Sequence, residues 1–210
     1  VALARYFDPT DRQNFIAQTN LIWDVDLGSI GNKLLFGLEY GTQNSINQRR
    51  NGTLSSGTLN LANIVYPTVV FGALARNTVS EVKFFSVYAQ NQISFGEQLD
   101  LVVGMRFDRF DIKGTDLIGT PRPFARIDEK VSPRVGLIFK PREEMSIYAS
   151  FSQSFLPRSG DQFLTLAPAG GGLPAQQDLA PEKFTNYEVG AKWDIRPNLN
   201  VRLALFQLDR

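Results

Sequence analysis

Neither cysteine nor histidine occurs among the 210 residues. The first absence removes disulfides, thiolate metal sites and cysteine nucleophiles. The second removes Ser-His-Asp and Cys-His arrangements, imidazole ligands and any side chain whose unperturbed pKa lies near neutrality. Long apolar runs are missing too. The mean hydropathy is -0.15, and no stretch approaches the roughly 20 apolar residues that a membrane-crossing helix needs. Nor is there an excess of one charge, since 22 basic residues stand against 21 acidic ones. The cations are scattered, with Arg49 and Arg50 the sole adjacent pair, which does not make the patch that phosphate backbones require. Nucleic acid is therefore not an expected partner, and enzymatic chemistry is not expected.

What the sequence has is aromatic residues and a period of two. Hydrophobic residues make up 43% of the chain, and Phe alone accounts for 16 positions. Phe15, Ala17, Leu21, Trp23, Val25 and Leu27 alternate with Asn14, Gln18, Asn20, Asp24 and Asp26. After a turn expected at Gly28 to Asn32, Leu34, Phe36, Leu38 and Tyr40 alternate with Lys33, Gly37, Glu39 and Gly41. The pattern recurs over Phe85 to Phe95 and Leu99 to Phe107, over Val131 to Phe139 and Met145 to Phe151, and over Tyr187 to Ile195 and Leu199 to Leu205. The expectation is about eight strands arranged as four hairpins.

Short turns at Gly28–Asn32, Gly96–Gln98, Pro141–Glu144 and Arg196–Asn198 alternate with segments 48–78, 114–127 and 158–182, which are rich in Gly, Pro, Asn, Ser and Thr and are expected to be loops. Such alternation is expected of a transmembrane barrel with short periplasmic turns and long extracellular loops. Trp23, Phe95, Phe139 and Trp193 stand on the apolar face beside short turns, which reads as an interfacial girdle. The fold class is therefore all-β, an antiparallel transmembrane β-barrel. A lipocalin-like barrel or an immunoglobulin-type sandwich would rarely carry three long connections on one edge. The chain opens at Val1 in mid-pattern and stops at Arg210 inside an expected strand, so residues 1–210 are expected to be part of a longer barrel domain.

The runs "SPRVGLIFKPREEMSIYASFSQSFLP" (Ser132 to Pro157) and "LAPEKFTNYEVGAKWDIRPNLNVRLALFQLDR" (Leu179 to Arg210) resemble the TonB-dependent siderophore receptors. Phe84 to Asp111 and Gln18 to Ser45 resemble the preceding strands of the same barrels, and Tyr187-Glu188-Val189-Gly190-Ala191-Lys192, following Ser132-Pro133-Arg134 in order, is a fairly specific element. The resemblance implies a barrel of about 22 strands, filled by an N-terminal plug that this chain does not include. It implies location in the bacterial outer membrane, contact with outer-membrane lipid, uptake of a ferric siderophore, and coupling to the TonB complex through the plug. The siderophore would be cargo, with no permanent cofactor. The alternatives are a porin-like passive channel and a receptor for a vitamin or an oligosaccharide. Glu188 and Lys192, four residues apart on the lumen face, are expected to stabilise the barrel interior or to touch a plug.

Polar chelates are held by rings that supply area and guanidinium groups that supply paired donors. On that chemistry, the candidate ligand-binding residues are Tyr66, Phe71, Arg122, Phe124, Arg126, Arg158 and Phe163. Arg122 and Arg126 flank Phe124 in a segment bracketed by proline. Gly170-Gly171-Gly172 has no Gly-Lys-Ser/Thr behind it and is no phosphate loop. The carboxylate pairs Asp108 with Asp111 and Asp128 with Glu129 lack the oxygen-ligand spacing of a known cation site.

Overall fold

The computed structural model describes residues 3–58, 62, 64–157 and 180–210. Among these, all regular structure is strand: β1 (Arg5–Phe7), β2 (Thr10–Leu27), β3 (Ile30–Leu54), β4 (Val69–Phe95), β5 (Leu99–Asp116), β6 (Arg122–Arg142), β7 (Met145–Leu156), β8 (Glu182–Arg196) and β9 (Leu199–Asp209). They form one antiparallel sheet in which each strand from β3 to β9 pairs with its sequence neighbour. At one edge β1 and β2 both pair with β3, in a single register that is interrupted at Asp8-Pro9. Proline has no N–H to give the ladder, so the break falls there. The far edge is β9, and the two edges do not meet.

The hairpin connections carry the chemistry expected of them. Gly28 and Gly96 have φ of 67° and 62°, the left-handed region that tight strand turns use and that glycine enters without a Cβ penalty. Strict neighbour pairing puts the connections β2–β3, β4–β5, β6–β7 and β8–β9 on one rim, in agreement with the topology read from the sequence. The first turn is tighter than expected, because Ile30 already pairs with Leu27.

Strands intrude far into two segments expected to be loops. β3 runs on to Leu54 and β4 starts at Val69, leaving 55–68 as the connection within 48–78. β5 reaches Asp116 and β6 begins at Arg122, so 114–127 shrinks to a connection of residues 117–121. Turn-forming composition does not prevent pairing when a neighbouring strand supplies the ladder: Thr115↔Pro123 and Gly114↔Phe124 stay in register beyond the apolar zone. The segment 158–182 lies outside the described residues apart from its last three, of which Glu182 opens β8.

The two faces are the reverse of a water-soluble sheet. On the face carrying Leu21, Phe36, Val87, Met105, Val135 and Val189 the side chains are open to the surroundings, Met105 at 59% of its full exposure. On the other face Ser45, Ser80, Ser86, Asp108 and Asp128 are buried, together with a small apolar cluster of Val82, Ile112 and Phe124. Curvature encloses that second face. Apolar side chains outward and polar side chains inward is the arrangement that hydrocarbon outside and an aqueous or protein-filled lumen inside would select.

Register also reveals a second aromatic level. Below it lie Trp23, Phe95, Phe139 and Trp193, near the short turns. At the second level Tyr40 faces Phe85, and Phe151 faces Tyr187 with ring centroids 5.2 Å apart. Phe107 stands at the same height, opposite Val87. From Phe95 to Phe85 along β4 the depth is about 23 Å, at about 3.3 Å per residue and a tilt of about 45°. The outward positions turn charged just above, at Lys83, Arg109 and Glu129, with Arg109 paired to Glu129. Below them the apolar band has the height of a hydrocarbon core.

Candidate functional site: the lumen wall

The inward phase of β3 to β5 carries a hydrogen-bonded group centred on Arg106. Its Nη2 donates to Glu39 Oε2 at 2.9 Å and to Ser86 Oγ at 2.8 Å, while its Nε donates to Asp108 Oδ1 at 2.7 Å. Ser86 Oγ in turn donates to Asp108 at 2.6 Å. The guanidinium lies 5.3 Å from the centre of the Tyr88 ring. The Tyr88 hydroxyl accepts from Gln18 Nε2 at 2.6 Å and donates to Asn20, so the group reaches back to the edge strand. Two carboxylates share one guanidinium, which is how charge is kept in an interior with restricted solvent.

Around this group lies a concavity of about 720 Å³, whose wall includes Arg106, Phe110, Arg134, Ser150, Phe155 and Glu188. Phe110 and Phe155 of that wall meet edge-on at 5.8 Å, and Phe84 stacks on Phe110 at 5.7 Å. Across the lumen face Tyr148 donates its hydroxyl to Glu188. Lys192 pairs with Asp194 at 3.1 Å and not with Glu188, so these two expected lumen residues serve separate contacts. Among the described residues no group of three or more acidic, cysteine or histidine side chains is placed to hold a metal ion.

Four inward glycines face rings directly across the ladder: Gly37 with Tyr88, Gly41 with Phe84, Gly114 with Phe124, and Gly190 with Tyr148. In each, a Cβ on the glycine would lie at 2.1–2.6 Å from ring atoms. The missing side chain is what lets the ring lie flat on the wall, and the ring covers backbone that glycine leaves bare.

The sequence-named candidates do not gather at one place. Tyr66 is 81% exposed in the connection between β3 and β4, and Phe71 stands on β4 with its ring 5.9 Å from Phe7. Arg122, Phe124 and Arg126 occupy the start of β6, not a loop. Arg122 pairs with Asp116 at 2.8 Å, and Arg126 with Asp128 at 2.5 Å. Phe124 is buried against Val82 and Ile112, packed within the wall. Arg158 and Phe163 lie outside the described residues. Sequence reading missed Phe84, Tyr88, Arg106, Phe110, Tyr148, Arg134 and Phe155 as one surface. The signal for Phe84 and Phe110 was there: both keep the phase of the polar residues Ser86, Tyr88, Arg106 and Asp108.

Strict neighbour pairing, an inverted pair of faces and an apolar band between two aromatic levels define this chain as the wall of an outer-membrane β-barrel. It belongs to the family described as "TonB dependent receptor-like, beta-barrel", whose model matches residues 2–210. Among characterised relatives, it is 30% identical over 205 residues to the metal-pseudopaline receptor CntO of Pseudomonas aeruginosa, covering 93% of this chain and 27% of that protein. It is 26% identical over 220 residues to the catecholate siderophore receptor Fiu of Escherichia coli K12, covering 91% of this chain and 28% of that protein. Among solved structures, the siderophore receptor PiuA from Acinetobacter baumannii superimposes with a TM-score of 0.74 at 22% identity, over 95% of this chain and 32% of that one. The chain therefore spans about a third or less of the length of the proteins it resembles.

Proposed function

We propose that the full-length protein is an outer-membrane receptor for the energy-coupled uptake of a ferric siderophore. The observation that carries this reading is the family match across residues 2–210, and the names of its relatives, receptors for a metal-pseudopaline complex and for catecholate siderophores, point the same way. The ferric chelate is cargo that the barrel passes inward, and no resident cofactor is proposed. Coupling to TonB would run through a plug held against the lumen wall, and the protein acts as a receptor and transporter, not an enzyme.

Ligand capture in this reading falls to the extracellular rim, to Tyr66, Phe71, Arg122, Arg126, Arg158 and Phe163, with Phe124 bracing the wall behind them. Rings and guanidinium groups suit an aromatic or anionic chelate. The test is uptake of radioactive iron by an iron-starved strain carrying the intact gene, measured with a panel of catecholate, hydroxamate and carboxylate chelates. Chelate-specific uptake that stops when TonB is deleted is the expected outcome. Uptake that persists without TonB would make the protein a passive channel. Absence of uptake for every chelate, alongside uptake of a vitamin or oligosaccharide, would replace the ligand.

A further inference from the structure

Three irregularities coincide at one level of the sheet, well above the apolar band. On one side of β3 the partner strand is broken at Asp8-Pro9, where the backbone bond from Gln48 N to Pro9 O, at 3.0 Å, bridges the gap. On the other side of β3 the pairing with β4 slips twice, between Arg49 and Arg50 and between Arg50 and Gly52. The proline gap on one flank and the two slips on the other, whose extra residues lie on β4, weaken the ladder locally and favour bending at this level. Beyond this level the sheet continues as three strand ends: β1, the β3 end from Arg50 to Leu54 and the β4 start from Val69 to Leu74. Phe7 on β1 packs against Phe71 on β4 across the intervening strand, so these pieces hold to one another.

A polar cluster spans the same level. Asp8 accepts from Arg49 Nε at 3.1 Å and from Arg49 Nη2, and from Asn47 Nδ2 at 3.1 Å. Asn47 also donates to Thr10 Oγ1 at 2.8 Å and accepts from Arg76 Nη1 at 3.4 Å. The Arg49 guanidinium lies over the Tyr6 ring at 4.4 Å. Asn47 is 1% exposed, and the hydroxyl of Thr78 opposite it is buried without a hydrogen-bond partner. Asp8 is joined through one peptide bond to β1 above, and its partner Asn47, which also holds Thr10 and Arg76, belongs to the strands below.

We infer that residues 3–7, 50–54 and 69–74 form a flap hinged at the level of Pro9 and Arg49, with Asp8 as the latch that ties it to the barrel. The interrupted ladders supply the hinge, and the Asp8 contacts to Arg49 and Asn47 close it. Phe71 rides on the flap, and Tyr66 lies in the connection at its top. The flap motion stands without any ligand. Its consequence, that opening changes how these two rings are presented, rests on the receptor reading above. Asp8 faces Arg49, with Arg76 and Tyr6 the other charged or titratable groups against it, and the bonds from Arg49 hold its carboxyl below the usual carboxylate range. The latch should therefore stay closed at neutral pH and release only in acid, when Asp8 takes up a proton.

The experiment uses the full-length protein in detergent or nanodiscs, with spin labels on cysteines introduced into this cysteine-free segment. One pair, Ser56→Cys with Gln153→Cys, reports the flap against the barrel, and a second, Asn44→Cys with Gln153→Cys, reports a point below the hinge. In otherwise unaltered protein both distance distributions should be narrow at neutral pH. Asp8→Asn should broaden or shift the first and leave the second in place, and the exchange Asp8→Arg with Arg49→Asp should narrow the first again. A first distribution identical in Asp8→Asn and unaltered protein overturns the latch. Broadening of both pairs together, or a first pair already broad in unaltered protein at neutral pH, overturns the hinge. Chelate uptake by the Asp8→Asn receptor is read separately, so that failure of the ligand reading leaves the distance result to stand or fall alone.

Discussion

The Tyr88 ring lies flat over Gly37 on the neighbouring strand, where a Cβ would sit 2.1 Å from ring atoms Cε2 and Cζ. Gly37→Ala must therefore push Tyr88 off Arg106, Gln18 and Asn20 at once, and overpacking of this kind costs about 1–3 kcal/mol. Tyr88→Ala removes the obstacle, so the double variant should lose less than the two single losses combined. Urea unfolding of the full-length protein in lipid vesicles measures all three. Strict additivity would show that the ring does not occupy that place.

Charge on the outward face should be costly in the middle of the band. Val103→Arg or Val189→Arg is expected to cost about 2–4 kcal/mol, because a guanidinium there meets hydrocarbon. Gln90→Arg, facing the 720 Å³ lumen concavity, should cost much less. Vesicle folding titrations that returned equal losses at Val103 and Gln90 would overturn the assignment of faces.

Removing the hub of the lumen group should leave Glu39 and Asp108 without their shared cation. Arg106→Ala is expected to destabilise by about 1–3 kcal/mol, the range for an unsatisfied polar group, held to its lower part by partial solvent access. Adding Glu39→Gln to Arg106→Ala should restore part of that loss. A double variant weaker than Arg106→Ala alone would mean that Glu39 has another partner.

Trp23 and Trp193 are the two tryptophans of this chain, and both stand at the periplasmic aromatic level. Fluorescence lost on Trp23→Phe or on Trp193→Phe should be the part quenched by lipids brominated near the headgroup, and only weakly by bromines at the chain ends. The opposite order at either position would move that strand along its register by several residues.

Acid should loosen the extracellular extension before the barrel. Asp8 has its folded-state pKa lowered, chiefly by the bonds from Arg49, so its contribution is present above the unfolded carboxylate value and is lost as pH falls through the folded one. Hydrogen exchange at Arg50 to Leu54 should therefore rise in acid while Phe85 to Phe95 stays protected. Uniform protection of both segments across that range would remove Asp8 from the account.

The period-two pattern by itself determined the strands, their pairing into hairpins, the rim of the short turns and the outward face, because alternation is local and each residue carries its own preference for hydrocarbon or water. It could not determine where strands stop. Gly114, Thr115 and Pro123 have turn-like composition, yet they pair because a neighbour in space completes their ladder. Tertiary structure also moved Phe124 from a candidate in a loop to a buried ring over Gly114, a position that depends on which residue register places opposite. The same holds for the surface shared by Phe84, Phe110 and Phe155: Phe84 and Phe155 stand 71 positions apart in sequence, and only the curvature of the sheet brings them to Phe110 between them. Local pattern selects a side of the wall; which distant side chains share that side is decided by pairing and curvature, which no single strand encodes.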